Sequence, residues 1–120
     1  VREKDHLLRM QGSAVFRAAV RHLEHAIVDV LKEFGVSAAD VTRLIAHQAN
    51  ARILEQLRRR LRLSQEAIYS VIERYGNTSS ASLPIALDCA VREQRLAAGD
   101  VVVLAAFGGG LTWATGLVRW

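Results

Sequence analysis

Residues 101–110 read Val-Val-Val-Leu-Ala-Ala-Phe-Gly-Gly-Gly, seven apolar residues in a row closed by three glycines. A strand with one wet face alternates polar with apolar residues. This run has no polar position, which predicts a strand covered on both faces, as in a sheet packed between helices. Gly99-Asp100 opens the run, and the Gly108–Gly110 triplet turns the chain into a final strand at about 111–120. If that strand is covered on both sides, the rest of the chain must supply the covering helices.

It does. From Ser13 to Phe34 the apolar positions Phe16, Val20, Leu23, Ile27, Val30, Leu31 and Phe34 recur at three- and four-residue steps, one face of a helix, with Gly35 as its stop. "VTRLIA" (41–46) is β-branched and apolar, a strand ending at His47. A second helix is predicted from about Asn50 to Leu61, with Ile53, Leu54, Leu57 and Leu61 inward and Arg52, Arg58, Arg59 and Arg62 outward. "AIYSVIERY" (67–75) reads as another strand, closed by the turn dipeptide Gly76-Asn77. Ser82 reads as the N-cap of a third helix with Pro84 in its first turn, ending near Leu96. The predicted order is α-β-α-β-α-β-β, a single α/β domain with a mixed sheet over residues 13–120, preceded by a lead-in segment, 1–12.

With 120 residues, 51% of them hydrophobic, the chain can build one core but hardly two. No apolar run approaches the roughly 20 residues that cross a bilayer, and residues 1–12 lack the pattern of a cleaved signal; both point to the cytoplasm and away from a membrane. The single cysteine, Cys89, excludes an internal disulfide, and the four histidines stand at no metal-binding spacing, so no metal and no cofactor is expected. The net charge of +4 suits an acidic partner, and Arg58, Arg59, Arg60 and Arg62 carry much of it. The chain starts at Val1 with mixed charge, which suggests a fragment or cut domain.

Three irregular points fall at predicted strand ends, where open α/β sheets place their sites: His47, "GNTS" (76–79) and "FGGG" (107–110). Histidine and asparagine can both donate hydrogen bonds to one oxygen, and glycines let backbone N–H groups approach a ligand. Together they are parts of an oxyanion or enolate site. Singly, each has a plainer reading: a satisfied structural histidine, a common turn, a hairpin. A Cys-His-Asn hydrolase built on Cys89, His47 and Asn77 has the right residue types, but Cys89 lies inside a helix rather than at its N-terminus, so it reads as a packing residue. The glycines match neither a phosphate loop nor a dinucleotide fingerprint.

The ordered set "MQGSAVFR", "HQANARI", "GNTSSAS" and "AFGGGLTWA" resembles the C-terminal half of the β-ketoacyl-acyl-carrier-protein synthase III family, over about Met10 to Trp120. The resemblance implies a thiolase-like fold, in which two such halves form an α-β-α-β-α sandwich, and an acyltransferase that joins acyl-CoA to malonyl-acyl-carrier protein by decarboxylative Claisen condensation in fatty acid biosynthesis. It implies that His47 and Asn77 are catalytic, as donors to the enolate oxygen, each worth about 3 kcal/mol of barrier. Gly109 matches the glycine-loop N–H of a second oxyanion hole. Phe107 matches a gate residue and Asn50 a residue near the pantetheine arm. Arg17, Arg52, Arg59 and Arg60 fall at or near positions that dock the acidic carrier protein, Arg52 foremost, although a solvated helix face explains them too. Ala46 stands where many members have proline, and Ser80 where alanine is usual.

The nucleophilic cysteine of that family belongs to the N-terminal half, and Cys89 does not align with it. This chain is therefore expected to need that half as a partner, to be inactive alone, and to sit in a homodimer of the full enzyme. The alternative is a noncatalytic pseudo-synthase or assembly subunit of a related polyketide or specialised-metabolite condensing enzyme, against which the intact donors argue. Nucleic-acid binding through the arginine helix lacks an aromatic platform and is not expected.

Overall fold

The computed structural model describes residues 10–120; residues 1–9 of the expected lead-in segment lie outside it. Helix α1 (Gly12–Glu33) buries Ala19, Val20, Leu23, Ile27 and Leu31 along one stripe. Its end shows why Gly35 was needed. With Gly35 at φ +64°, the Gly35 N–H donates to the Lys32 carbonyl (3.1 Å) and the Val36 N–H to the Leu31 carbonyl (2.9 Å). That pattern satisfies two helix-end carbonyls and turns Val36 back onto the core. Phe34, expected on the inward face, is the cap residue and is exposed.

Strand β1 (Arg43–Ala46) pairs in parallel with β2 (Val101–Gly108), in the register Arg43↔Val102 to Ala46↔Ala105. β2 then folds back on β3 (Thr112–Arg119) as an antiparallel partner, Val101 opposite Arg119 and Gly108 opposite Thr112. The sheet is thus mixed, in the order β1-β2-β3. The unbroken apolar run behaves as its composition demands. Val103 and Ala105 pack with Leu44 and Ala46 against α1 and helix α2 (Ala51–Leu61). Val102 and Ile45 face the other way, onto Ala86, Cys89 and Ala90 of helix α4 (Ser82–Arg92). Both sheet faces are covered, which makes a three-layer α-β-α unit.

Three expectations change. Residues 67–75 form no full strand: one parallel bridge, Leu44↔Ile68, extends the sheet beyond β1, and the chain then enters the single-turn helix α3 (Ile72–Tyr75). The reason is competition for the backbone. The Gln48 side-chain oxygen accepts the Val71 N–H (3.0 Å) and its amide donates to the Tyr69 carbonyl (3.5 Å), so backbone groups that a strand ladder would use are satisfied by a side chain. The expected strand therefore gives way after one rung. Ser82, read as an N-cap, is instead the first residue of α4, reached through a 3-10 turn at Ser79–Ala81, and its side chain turns inward. α4 stops at Arg92, short of Leu96, because Gln94 takes φ +54° and the Arg95 N–H closes on the Ala90 carbonyl (2.8 Å).

Candidate active site

Parallel pairing decides where the site lies. Since β1 and β2 run the same way in the register Ala46↔Ala105, their C-terminal ends share one edge, and His47 and the Phe107–Gly110 segment leave the sheet together. The edge is tight, for the His47 N–H still donates to the Ala105 carbonyl (2.7 Å) one residue past the strand. Gly110 adopts φ +73°, and the Thr112 hydroxyl donates to the Gly109 carbonyl (3.1 Å), so the glycine turn has one fixed shape. Gly109 is exposed at this turn, while Phe107 is half-buried against the α1/α2 core.

The His47 ring is held from behind. Its Nδ1 lies 2.5 Å from the Ser82 hydroxyl oxygen, and that oxygen also accepts the Gln48 N–H (3.1 Å). Half-burial disfavours the charged imidazolium and lowers its pKa below the ordinary histidine value, so the neutral ring is favoured at pH 7. Gln48 is fully buried and ties the site to its surroundings: its amide donates to the Ala46 carbonyl (2.7 Å) while its oxygen holds Ser70 and Val71. Neither Ser82 nor Gln48 stood out as a site residue in the sequence. The signal for Ser82 was its spacing: Ser82, Ala86 and Ala90 are four residues apart on one helical stripe, and all three are buried.

Asn77 follows Gly76, whose φ +67° and ψ −158° lie in a region open essentially to glycine alone. The Asn77 Oδ1 accepts the Ser79 N–H (3.0 Å), which leaves the exposed amide NH₂ as a free donor. Ser82, five residues on, joins this turn to His47. Beside it, the Thr78 hydroxyl is buried with no hydrogen-bond partner among the described residues.

Other expected site residues fare differently. The Asn50 Oδ1 accepts the Arg52 N–H (2.8 Å), so Asn50 is the N-cap of α2. Arg59 is paired with Glu55 (2.6 Å) and Arg60 with Glu24 of α1 (2.7 Å). Arg58 also grips Glu55 (2.8 Å), and the two guanidiniums hold that carboxyl down at about 2. Arg17 and Arg52 are exposed and enter no ion pair among the described residues. Cys89 is buried in α4, 3.8 Å from the Tyr75 hydroxyl and packed with Ile45 and Tyr69. No group of histidine, cysteine and carboxylate side chains suited to a metal exists among the described residues.

The profile of the 3-oxoacyl-[acyl-carrier-protein] synthase III C-terminal domain matches residues 31–120, the span from the end of α1 through β3. The chain belongs to the C-terminal domain family of 3-oxoacyl-[acyl-carrier-protein] synthase III. It is 50% identical over 113 residues to the β-ketoacyl-[acyl-carrier-protein] synthase III of Desulfotalea psychrophila, covering 94% of this chain and 35% of that protein. The crystal structure of the Aquifex aeolicus synthase III superposes with a TM-score of 0.94 at 41% identity, over 98% of this chain and 38% of that one. The Pseudomonas aeruginosa synthase III gives 0.90 at 42% identity, over 93% of this chain and 34% of that one. The fold is accordingly thiolase-like. The chain spans little more than a third of the length of these synthase III proteins.

Proposed function

We propose that this chain supplies the enolate-stabilising part of a decarboxylative condensing site, an acyltransferase whose nucleophilic cysteine lies outside these residues. The reading is supported by two donors that the fold leaves uncommitted: His47, held through Nδ1, and Asn77, whose Oδ1 accepts the Ser79 N–H so that its NH₂ is free. In the proposed step the bond between the malonyl carboxylate and its α-carbon breaks and carbon dioxide leaves. The electron pair moves onto the thioester as an enolate, whose oxygen the His47 Nε2–H and the Asn77 amide bind. The α-carbon then attacks an acyl-cysteine thioester, a carbon–carbon bond forms, and the thiolate departs. Charge on the thioester oxygen rises only along this path, so donors fixed there favour the transition state over the bound substrate.

The Gly109 N–H is the proposed donor to the tetrahedral oxyanion at that cysteine, Phe107 and Asn50 the proposed contacts of the acyl-pantetheine arm. Acyl-CoA and malonyl-acyl-carrier protein are the proposed substrates, with fatty acid biosynthesis in the cytoplasm as the setting and a homodimer as the assembly. Arg52 and Arg17, whose charges are uncommitted, suit the acidic carrier protein better than Arg59 and Arg60. Cys89 takes no part, since it is buried within α4 and packed under Tyr75.

The test is complementation. This chain alone should neither accept an acyl group from acyl-CoA nor condense. Mixed with a separately made half that carries the nucleophilic cysteine, it should condense, and His47→Ala or Asn77→Ala should lower that rate by about 10²- to 10³-fold. Acylation of Cys89, or undiminished condensation in both variants, would overturn the reading.

A further inference from the structure

A hydroxyl carries a single hydrogen, and the surroundings of Ser82 leave little choice about where it goes. Ser82 is 1% exposed, and its oxygen has two partners among the described residues, the Gln48 N–H at 3.1 Å and the His47 Nδ1 at 2.5 Å. The Gln48 N–H can only donate, so that contact uses an oxygen lone pair. The His47 contact can run in either direction. If Nδ1 carried the ring proton and donated to Ser82, the serine hydrogen would be buried without an acceptor, a costly arrangement in a low-dielectric interior. If Ser82 donates to a bare Nδ1, every group is satisfied and the proton of the neutral ring must sit on Nε2.

We propose that Ser82 is a positioning residue that fixes His47 as the Nε2–H tautomer, so that the ring presents a donor to the open sheet edge. Ser82 touches no substrate in this account; it acts through His47, and its value to catalysis rests on the condensing reading above. The geometry supports a dedicated role. Ser82, the first residue of α4, shares a buried stripe with Ala86 and Ala90 and bridges two segments 35 residues apart. Its contact with the Gln48 N–H fixes the oxygen, so its hydrogen is aimed rather than free to rotate.

The test reads the tautomer directly. Nitrogen NMR of the chain labelled in its histidines, with the His47 signals assigned by their loss in His47→Gln, distinguishes a protonated ring nitrogen from a bare one. The wild-type chain at neutral pH should show Nε2 protonated and Nδ1 bare. Ser82→Ala should populate both tautomers, and Ser82→Cys, which keeps a weaker donor in the same place, should lie between. A wild-type ring protonated at Nδ1 overturns the proposal whatever the variants do, and so does an Nε2–H tautomer that is unaltered in a folded Ser82→Ala chain. In the reconstituted condensation assay Ser82→Ala should lower the turnover number by about tenfold with KM little changed, the size of one lost oriented hydrogen bond. Should wild type fail to condense while the tautomer results hold, the functional reading falls and the role of Ser82 stands.

Discussion

At the scale of single residues, Asn77 offers the cleanest separation of structure from chemistry. Its Oδ1 holds the Ser79 N–H and shapes the turn, while its NH₂ is the proposed catalytic donor. Asn77→Asp keeps an oxygen for Ser79 and replaces the donor by a negative acceptor. Denaturant unfolding should therefore move by less than about 0.5 kcal/mol, whereas condensation by the reconstituted enzyme should fall by at least about 10²-fold. Equal losses in both would mean the turn, not the donor, was the point. His47 makes a second prediction through its lowered proton affinity. In the unfolded chain it titrates near its ordinary value of about 6.5, and in the folded chain only at lower pH, so between those two points the unfolded state binds more protons. Its contribution is steady above about pH 7 and is lost as pH falls through the unfolded value toward the folded one. The stability difference between wild type and His47→Gln should be flat above neutrality and shift against wild type on acidification below about 6.5, as followed by urea unfolding at each pH. His47 and Asn77 stand out in the sequence as candidates because each interrupts a local pattern, a strand end and a turn. Ser82 and Gln48 do not, because their roles depend on contacts with segments at least 20 residues away.

At the scale of elements, covering a strand on both faces proved a sound guide: Val102 and Val103 are adjacent, point to opposite faces, and are both almost wholly buried. The ends of α1 at Gly35 and of α2 at Leu61 agree with the apolar periodicity, the second although Arg62 takes φ +55°. The end of α4 differs, because the chain turns at Gln94 (φ +54°) before the apolar pattern runs out at Leu96. The 67–75 segment was misread for a different reason. Its β-branched and aromatic composition is that of a strand, but the amide of Gln48 takes over its backbone, and no local pattern reveals a competitor so far away. The next element along shows how narrowly the site is built. Gly76 carries the chain out of α3 with φ +67° and ψ −158°, and a Cβ there meets nothing within 4 Å, so a substitution would be opposed by backbone strain alone. Gly76→Ala should cost about 1–3 kcal/mol in denaturant unfolding if the turn holds. If the turn relaxes instead, stability should be spared and condensation lost, because Asn77 moves with it. Gly12→Ala, in the first turn of α1 and equally open, is the control and should be neutral or slightly stabilising.

At the scale of the whole molecule, the net charge of +4 says only that acidic partners will approach; it does not say where they dock. The ion pairs narrow the question. Arg58 and Arg59 share Glu55 on their own helix, and Arg60 reaches across to Glu24 of α1, so this part of the arginine stripe is partly neutralised by the fold itself. Arg52 stands at the start of the same helix, beside the Asn50 cap and a short step along the chain from His47, with its charge uncommitted. Arg52→Ala and Arg59→Ala change the net charge equally, and both side chains are exposed. If long-range attraction alone governed association, the two would slow carrier-protein binding alike. If the partner docks beside the site, Arg52→Ala should weaken it several-fold more than Arg59→Ala at low ionic strength. The gap should narrow as salt rises past about 0.1 M, where the screening length falls to about 10 Å. Stopped-flow association with purified acidic carrier protein over a salt series distinguishes the two cases. Equal slowing by both variants would leave the stripe a solvated face, and a larger effect at Arg59 would move the docking surface along α2, away from His47.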